Sequence, residues 1–225
     1  MAALAQTVNS LAIVKGTEMN PIRFYRVLLS GHCHRVELLL LMLGLEYEAI
    51  EMNIAAGDLR RPEYLALNRF SQVPVIVDGD VVLADSNAIL VYLAKRYGDE
   101  RWLPEDPVGA ARVQRWLSAA AGPIAFGVAR ARLVSVFGAP HDAETAKAIG
   151  HQFLRVLDAE LVDRQFLAAE HATIADLACY SYVAHAPEGH VPLDAYPEVR
   201  AWLARVEALP KFQPMPRSEP RPESA

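Results

Sequence analysis

The sequence has few cysteines, no excess of basic residues and no long uninterrupted hydrophobic run. Its two cysteines, Cys33 and Cys179, lie far apart and give no sign of a disulfide framework. The 22 lysines and arginines are outnumbered by 27 aspartates and glutamates, so nothing indicates binding to nucleic acid or to an anionic membrane surface. No window reaches the roughly 18 apolar residues of a membrane-spanning helix. We therefore predict a cytoplasmic protein with no nucleic-acid or membrane partner.

Core-forming material is abundant, because 52% of the 225 residues are hydrophobic and only 22% are charged. This length suits one large domain or two small ones. Residues 1–20 lack the basic start and apolar core of a secretory signal, and we expect them to form a flexible extension. The proline-rich end predicts a flexible tail over residues 217–225.

The apolar pattern of residues 21–98 predicts a small α/β domain. Gly44 is a typical helix stop, and two β-branched runs around Asp78-Gly79 predict a hairpin. The order β-α-β followed by β-β-α is typical of a thioredoxin-like fold. The expected elements are a strand at 23–29, a helix ending at Gly44, a strand at 45–52, a short helix at 62–67, a hairpin at 74–85 and a helix at 86–97.

Charges, prolines and a glycine after Tyr97 predict a linker over residues 99–106, and an all-helical domain follows over 107–216. The first long helical stretch should be interrupted near Gly122-Pro123, because proline removes a backbone donor and clashes with the preceding turn. Thr173-x-x-Asp176 resembles a capping box, to which we assign a structural purpose only. The expected helices cover 108–137, 142–163, 173–185 and 197–208.

The turn Ser30-Gly31-His32-Cys33 joins the first strand to the first helix and carries the most chemistry. Ser30 occupies the exposed first position of the helix, where a redox enzyme would carry its attacking cysteine. A serine cannot form a mixed disulfide, but it can donate a hydrogen bond to another molecule's thiolate. Cys33, at the second position, is typical of a cysteine that packs as a small hydrophobe. No second cluster at ligand spacing accompanies His32, so we predict no metal.

Two further motifs suit a peptide-like ligand. Pro74 is a candidate cis proline, although the rarity of cis bonds favours trans from the local sequence alone. A cis bond would turn the backbone of Val73 outward to pair with a peptide. Ser86 is the predicted N-cap of the following helix, whose N-terminus can hold a carboxylate. Asp85 could then pair with an ammonium group.

The motifs SGHCHRVELLL, NRFSQVPVIVDGD, LADSNAILVYLAKRYG, WLSAAAG and TIADLACYSYVAHAPEG stand in an order that resembles the cytosolic glutathione S-transferase superfamily, over residues 21–216. The chain looks most like its bacterial, serine-type members, similar to the theta and tau classes. The resemblance implies an α/β thioredoxin-like N-terminal domain plus an all-α C-terminal domain. It also implies a cytoplasmic, homodimeric detoxification enzyme that joins glutathione to small hydrophobic electrophiles.

Carried over by position, the resemblance assigns Ser30 to donate its hydroxyl to the glutathione sulfur. Val73, before a cis Pro74, would pair with the cysteinyl part of glutathione, and Asp85 and Ser86 would hold the γ-glutamyl ammonium and carboxylate. The other candidates are Gln72 for the glycyl end and, for the acceptor site, Trp116, Phe126, Arg130 and Phe137.

Two alternatives stay open from the sequence. One is a glutathione-dependent disulfide or peroxide reductase that uses Cys33, since some relatives of this kind carry a cysteine near this turn. The other is a non-catalytic binding protein that kept the glutathione transferase fold.

Overall fold

The computed structural model describes residues 21–222, so the expected extension over residues 1–20 and the last part of the expected tail lie outside the described residues. The first part of the chain forms a mixed sheet with helices, and the second part is helical, which confirms the predicted fold class. The elements of the first part are β1 (Ile22–Arg26), α1 (Gly31–Leu43), β2 (Tyr47–Glu51), α2 (Pro62–Leu67), β3 (Val75–Asp78), β4 (Val81–Ala84) and α3 (Ser86–Tyr97).

The four strands lie in the order β2-β1-β3-β4. β1 pairs in parallel with β2 and antiparallel with β3, and β3 pairs antiparallel with β4. A parallel pair needs a crossover, which α1 supplies. The β3–β4 pair is the predicted hairpin, with Gly79 at φ 58° in its turn. β1 ends at Arg26 rather than at Leu29, so the chain leaves the sheet early and forms a loop before Ser30.

Helix α1 is buried over most of its surface, and its buried residues include His34 and Arg35 as well as apolar side chains. It packs against α3 and against the helix Ile174–Ala184 of the second part. Leu38, Leu39 and Leu40 are fully buried, and each such side chain contributes roughly 1.5–3 kcal/mol to stability. Gly44 ends the helix in the left-handed conformation at φ 71°, as its position predicted.

The second part contains a break in its longest helical stretch. Pro123 is accommodated inside a π-helical segment, and the non-helical backbone falls later, at Gly127, with φ −96° and ψ −105°. A Cβ atom on Gly127 would lie 2.7 Å from the backbone nitrogen of Gly150, so the close crossing requires glycine there. The helical elements are α4 (Pro107–Ala119), the π-helical segment (Ala120–Ala129), α5 (Arg130–Phe137), α6 (Ala143–Leu161), α7 (Ile174–Ala184) and α8 (Pro197–Glu207).

By length and composition alone, the 31-residue run Pro107–Phe137 is apolar enough to cross a membrane. This run packs against α6 and α7, as the core helix of a helical domain would. A helix of this kind is weak evidence for a membrane span, and the absence of a membrane partner stays a prediction.

The Thr173–Asp176 capping box is present and lies in the core of the second part. Asp176 is fully buried, and its carboxylate accepts hydrogen bonds from the backbone N–H groups of Leu167 (3.0 Å) and Thr173 (2.9 Å) and from the Trp202 indole (2.9 Å). The box therefore starts α7 and also ties α8 and the loop before α7 to it.

The chain after α8 folds back onto both parts of the molecule. The Gln213 carbonyl accepts a hydrogen bond from His34 on α1 at 2.8 Å. The backbone N–H of Ser218 donates to the Glu188 carboxylate, and that of Arg221 donates to the Ser135 carbonyl. These contacts hold residues 217–222 against the second part, so the expectation of a flexible tail was wrong for these residues. The predicted limits of the two domains stay predictions.

We expect Asp176→Ala to lower the free energy of unfolding by about 3 kcal/mol, because it leaves several buried donors without an acceptor. The matched control is Asp106→Ala, which removes an exposed N-cap of α4 and should cost about 1 kcal/mol. Urea unfolding followed by circular dichroism measures both values. Equal losses in the two variants would contradict this account of Asp176.

Candidate functional site

Ser30 is the N-cap of α1, with an extended backbone (φ −89°, ψ 117°). Its side-chain oxygen accepts a hydrogen bond from the backbone N–H of Cys33 at 3.4 Å. This contact uses an acceptor site of the hydroxyl and leaves its proton available as a donor, and the same hydroxyl also interacts with the nearby Cys33 thiol and partly offsets the effect of burial on that thiol's pKa. Ser30 is partly exposed at the positive end of the helix dipole, so a negatively charged group is favoured beside it.

Cys33 faces the interior, and 1% of its surface is exposed. Its sulfur accepts a hydrogen bond from the backbone N–H of Val27 at 3.4 Å, which helps to hold the loop between β1 and α1. Burial raises the pKa of the Cys33 thiol to about 11. The thiolate that nucleophilic or redox chemistry needs is therefore disfavoured at this position.

The helical part of the molecule contacts both sides of Ser30. On one side, Arg132 of α5 donates a hydrogen bond to the carbonyl of Leu29 at 2.9 Å. On the other side, a Cβ atom on Gly31 would lie 2.9 Å from the Tyr182 ring of α7, so only glycine fits without a shift. The turn that carries Ser30 is therefore fixed by residues far away in sequence.

The Val73–Pro74 peptide bond is cis, as the family resemblance implied and against the local-sequence expectation of trans. The β1–β3 ladder begins at Val75, so Val73 precedes the paired residues. The preceding carbonyl, of Gln72, accepts hydrogen bonds from the Tyr64 hydroxyl (2.7 Å) and the Asn68 amide (2.8 Å). This short segment is thus fixed at the open end of the ladder, with the Gln72 side chain exposed.

The predicted N-cap of α3 was wrong by one residue: the cap is Asp85, and Ser86 is the first helical residue. One carboxylate oxygen of Asp85 accepts the N–H groups of Asn87 and Ala88, both at 2.9 Å. Asp85 holds φ 72°, which costs a non-glycine residue about 1–3 kcal/mol, and the two capping bonds offset part of that cost. Its second oxygen and the first N–H of the helix, on Ser86, are left for other partners.

Two residues of α1 approach the Ser86 side chain. His32 Nδ1 lies 3.1 Å from Ser86 Oγ, and Arg35 donates to the same oxygen at 3.4 Å and to Asn87 Oδ1 at 3.1 Å. Burial and the nearby Arg35 charge lower the pKa of His32 to about 3, so its imidazole is neutral near pH 7. The N-termini of α1 and α3 are therefore joined at one place.

The four acceptor-site candidates fall into different environments. Trp116 is 4% exposed and donates its indole N–H to the Leu167 carbonyl at 3.0 Å, so it is a core residue. Phe126 and Phe137 are 48% and 46% exposed. The Arg130 guanidinium lies 4.6 Å from the Phe126 ring centre, and the Arg132 guanidinium lies 5.5 Å from that of Phe137.

Sequence reasoning missed a buried charged cluster next to the Ser30 turn. Arg132 Nε donates to the Glu188 carboxylate at 2.6 Å, and the other Glu188 oxygen contacts His185 Nδ1 at 2.6 Å. Burial opposes the ionisation of Glu188, but the bonds from Arg132 and His185 bring its pKa below its usual range. The sequence did contain a signal for this cluster. Arg132 stands at helical spacing between Val128 and Ser135, which lie on a buried helix face, so its side chain could have been predicted to be buried.

Within residues 21–222, no three His, Cys, Asp or Glu side chains cluster as a metal site would require. The expected absence of a metal stays a prediction.

Comparisons with known proteins cover both parts of the chain. A family model of the glutathione S-transferase N-terminal domain matches residues 29–96, and one of the C-terminal domain matches residues 126–210. Glutathione S-transferase 3 of Zea mays is 32% identical over 219 residues, which cover 91% of this chain and 97% of the relative. Human glutathione S-transferase theta-2 is 31% identical over 176 residues, or 74% of this chain and 72% of the relative.

Solved structures agree with these matches. A glutathione S-transferase from Pseudomonas fluorescens superposes with a TM-score of 0.82 at 31% identity, covering 87% of this chain and 99% of that one. A glutathione transferase homologue from Drosophila mojavensis, solved with bound glutathione, has a TM-score of 0.75 at 29% identity, covering 84% and 89% of the two chains.

We expect both cysteines of the folded protein to resist thiol reagents near pH 8. Cys179 is also fully buried, and burial raises the pKa of the Cys33 thiol to about 11, so the thiol is almost entirely protonated at that pH. Labelling with iodoacetamide, read by mass spectrometry before and after denaturation, measures this. Rapid labelling of Cys33 in the native protein would contradict its assignment as a packing residue.

Proposed function

We propose, from the premise that this chain belongs to the cytosolic glutathione S-transferase superfamily, that Ser30 activates the glutathione thiol as a thiolate for attack on small hydrophobic electrophiles. The chain is a glutathione transferase enzyme, with glutathione as its co-substrate. The observation that carries the mechanistic proposal is the partly exposed Ser30 hydroxyl, whose oxygen caps α1 by accepting the Cys33 N–H and which can donate its proton to a ligand.

The energies are of the required size. A free thiol with a pKa of about 8.5 is only a few per cent ionised at pH 7. Lowering that pKa by two units needs about 2.7 kcal/mol of selective thiolate stabilisation. A hydroxyl hydrogen bond to a charged sulfur supplies roughly 1.5–3 kcal/mol, and the N-terminus of α1 supplies about 0.3–1 kcal/mol more. The pre-ionised sulfur then attacks the electrophile without a general base, so positioning and electrostatics carry the catalysis.

The remaining glutathione contacts follow the same proposal. Val73 would pair its backbone with the cysteinyl residue, because it lies next to cis Pro74 at the open end of the ladder. The γ-glutamyl ammonium would meet the exposed carboxylate of Asp85, and its carboxylate would meet Ser86 at the start of α3. The exposed Gln72 side chain would reach the glycyl end.

The electrophile site is proposed beside α5. Arg132 contacts both the Leu29 carbonyl and the Phe137 ring, so one side chain connects the exposed Phe137 to the residue that precedes Ser30. Phe126 and Arg130 form a second exposed pair on the preceding segment. Their aromatic faces suit a hydrophobic electrophile. Trp116 is not included, because its side chain is part of the core.

The buried environment of Cys33 supports Ser30 over a Cys33-dependent reductase mechanism. We also propose a role in detoxification and a cytoplasmic location, both of which follow from the family resemblance. Suitable residues stand at every expected glutathione-binding position, which argues against the non-catalytic alternative.

We expect Ser30→Ala to reduce kcat/KM for an activated aryl chloride about 10–100-fold at pH 7, because it removes one hydrogen bond to a charged sulfur. The pKa of the bound thiol, followed by thiolate ultraviolet absorbance, should rise, so the wild-type and variant rates should converge above that pKa. Cys33→Ser is the matched control and should keep its activity. The reverse pattern, with Cys33→Ser inactive and Ser30→Ala active, would establish the reductase reading.

The family resemblance also predicts a homodimer formed through α3 and α4. Apolar side chains are exposed on this chain, among them Val108 on α4 at 60%. Size-exclusion chromatography with light scattering should give twice the mass of one chain at micromolar concentration. A single-chain mass at every concentration would contradict the prediction.

A further inference from the structure

Arg35 carries a buried positive charge that is only partly compensated: its guanidinium lies 5.8 Å from the centre of the Tyr182 ring and is attracted by the Asp85 carboxylate, with which it forms no ion pair. Its side chain is fully buried, and it forms no ion pair within residues 21–222. Two of its nitrogens, Nε and Nη2, have no hydrogen-bond partner among those residues. A buried guanidinium without a carboxylate is costly, which points to a counter-ion that arrives with a ligand. Arg35 Nη1 donates to Ser86 Oγ at 3.4 Å, at the start of α3, where the ligand carboxylate is proposed to bind.

The Ser86 hydroxyl has two acceptor sites and one proton, so its neighbours decide where that proton points. Arg35 can only donate, and it uses one acceptor site of Ser86 Oγ. His32 Nδ1, at 3.1 Å, occupies the second position around the same oxygen. If Nδ1 carries the imidazole proton, both neighbours donate and the Ser86 proton must point elsewhere. If Nδ1 carries no proton, it accepts a hydrogen bond from the Ser86 hydroxyl, and Ser86 then has no proton to donate to a ligand.

We propose that His32 is a positioning residue for the γ-glutamyl carboxylate: it donates from Nδ1 to Ser86 Oγ, so that Ser86, backed by the Arg35 charge, turns its own proton to the ligand. This inference rests on the proposed glutathione site. The carboxylate completes the charge balance of Arg35 and also accepts the first N–H of α3.

The position of the His32 ring agrees with this arrangement. The ring stands edge-on to Tyr182, with the ring centres 5.1 Å apart, and Tyr182 is itself fixed against Gly31. The low pKa of His32 keeps the imidazole neutral near pH 7, so one ring nitrogen carries a proton and the other does not. His32 therefore orients the Ser86 hydroxyl and adds no charge to the site.

The test compares two ligands that do not depend on Ser30 chemistry. One is S-methylglutathione, and the other is its analogue with a γ-aminobutyryl group in place of γ-glutamyl, which lacks only the carboxylate. Calorimetric titration of His32→Leu should show binding of S-methylglutathione weakened about tenfold and binding of the analogue unchanged within about twofold. His32→Asn keeps an N–H near the Nδ1 position, so it should recover most of the loss.

Equal weakening for both ligands, or an Asn variant as weak as the Leu variant, would overturn the proposal. Nitrogen-15 NMR of the wild-type protein gives an independent check that needs no substitution: the proton of His32 should lie on Nδ1, and a proton on Nε2 would overturn the proposal even if the variants misfold. A wild-type protein that does not bind S-methylglutathione would instead refute the proposed glutathione site, and this inference with it.

Discussion

The hydrogen bond from Arg132 to the Leu29 carbonyl ties the helical part of the molecule to the residue that precedes Ser30. Arg132 is held in turn by Glu188, which also contacts His185 and the backbone N–H of Ser218. Because all of these groups are buried or partly buried, each depends on the others for a partner. The position of Ser30 thus depends on residues from α5, from the turn after α7 and from the end of the chain.

The two serines of the proposed glutathione site obey the same physical rule. Each hydroxyl oxygen accepts a hydrogen bond from the protein, Ser30 from the Cys33 N–H and Ser86 from Arg35. Each also stands at the N-terminus of a helix, where a negative ligand group is favoured. A thiolate and a carboxylate are both negative, so one peptide with these two groups matches both helix ends. His32 lies on α1 and contacts Ser86, and so fixes how the two ends meet.

Local patterns in the sequence predicted most of the fold. The bounds of α2 and α3, the hairpin and the stop at Gly44 follow from caps, turn residues and periodicity over a few positions. Predictions that depend on distant neighbours failed more often. One local prediction also failed by one residue: Asp85 rather than Ser86 caps α3, with a positive φ that is uncommon for a residue other than glycine.

The same limit applies to side-chain roles. Trp116 lies on a helix face whose partner, the loop at Leu167, is far away in sequence, so spacing alone could not separate core from ligand contact. The partners of Arg35 and His32 are also on another helix. From the sequence, His32 was considered only as a possible metal ligand, because its contact with Ser86 exists only in the folded chain.

The two buried arginines, Arg35 and Arg132, differ in how many of their nitrogens have a hydrogen-bond acceptor, and this difference indicates which of them serves a ligand. Arg132 has an acceptor for each of its three nitrogens, Glu188, the Leu29 carbonyl and the Ser218 hydroxyl, so its cost of burial is offset within the chain. Arg35 has acceptors for only one nitrogen, in Ser86 and Asn87. Its incomplete pairing, beside a strained Asp85, is the arrangement expected where a ligand supplies the missing charge.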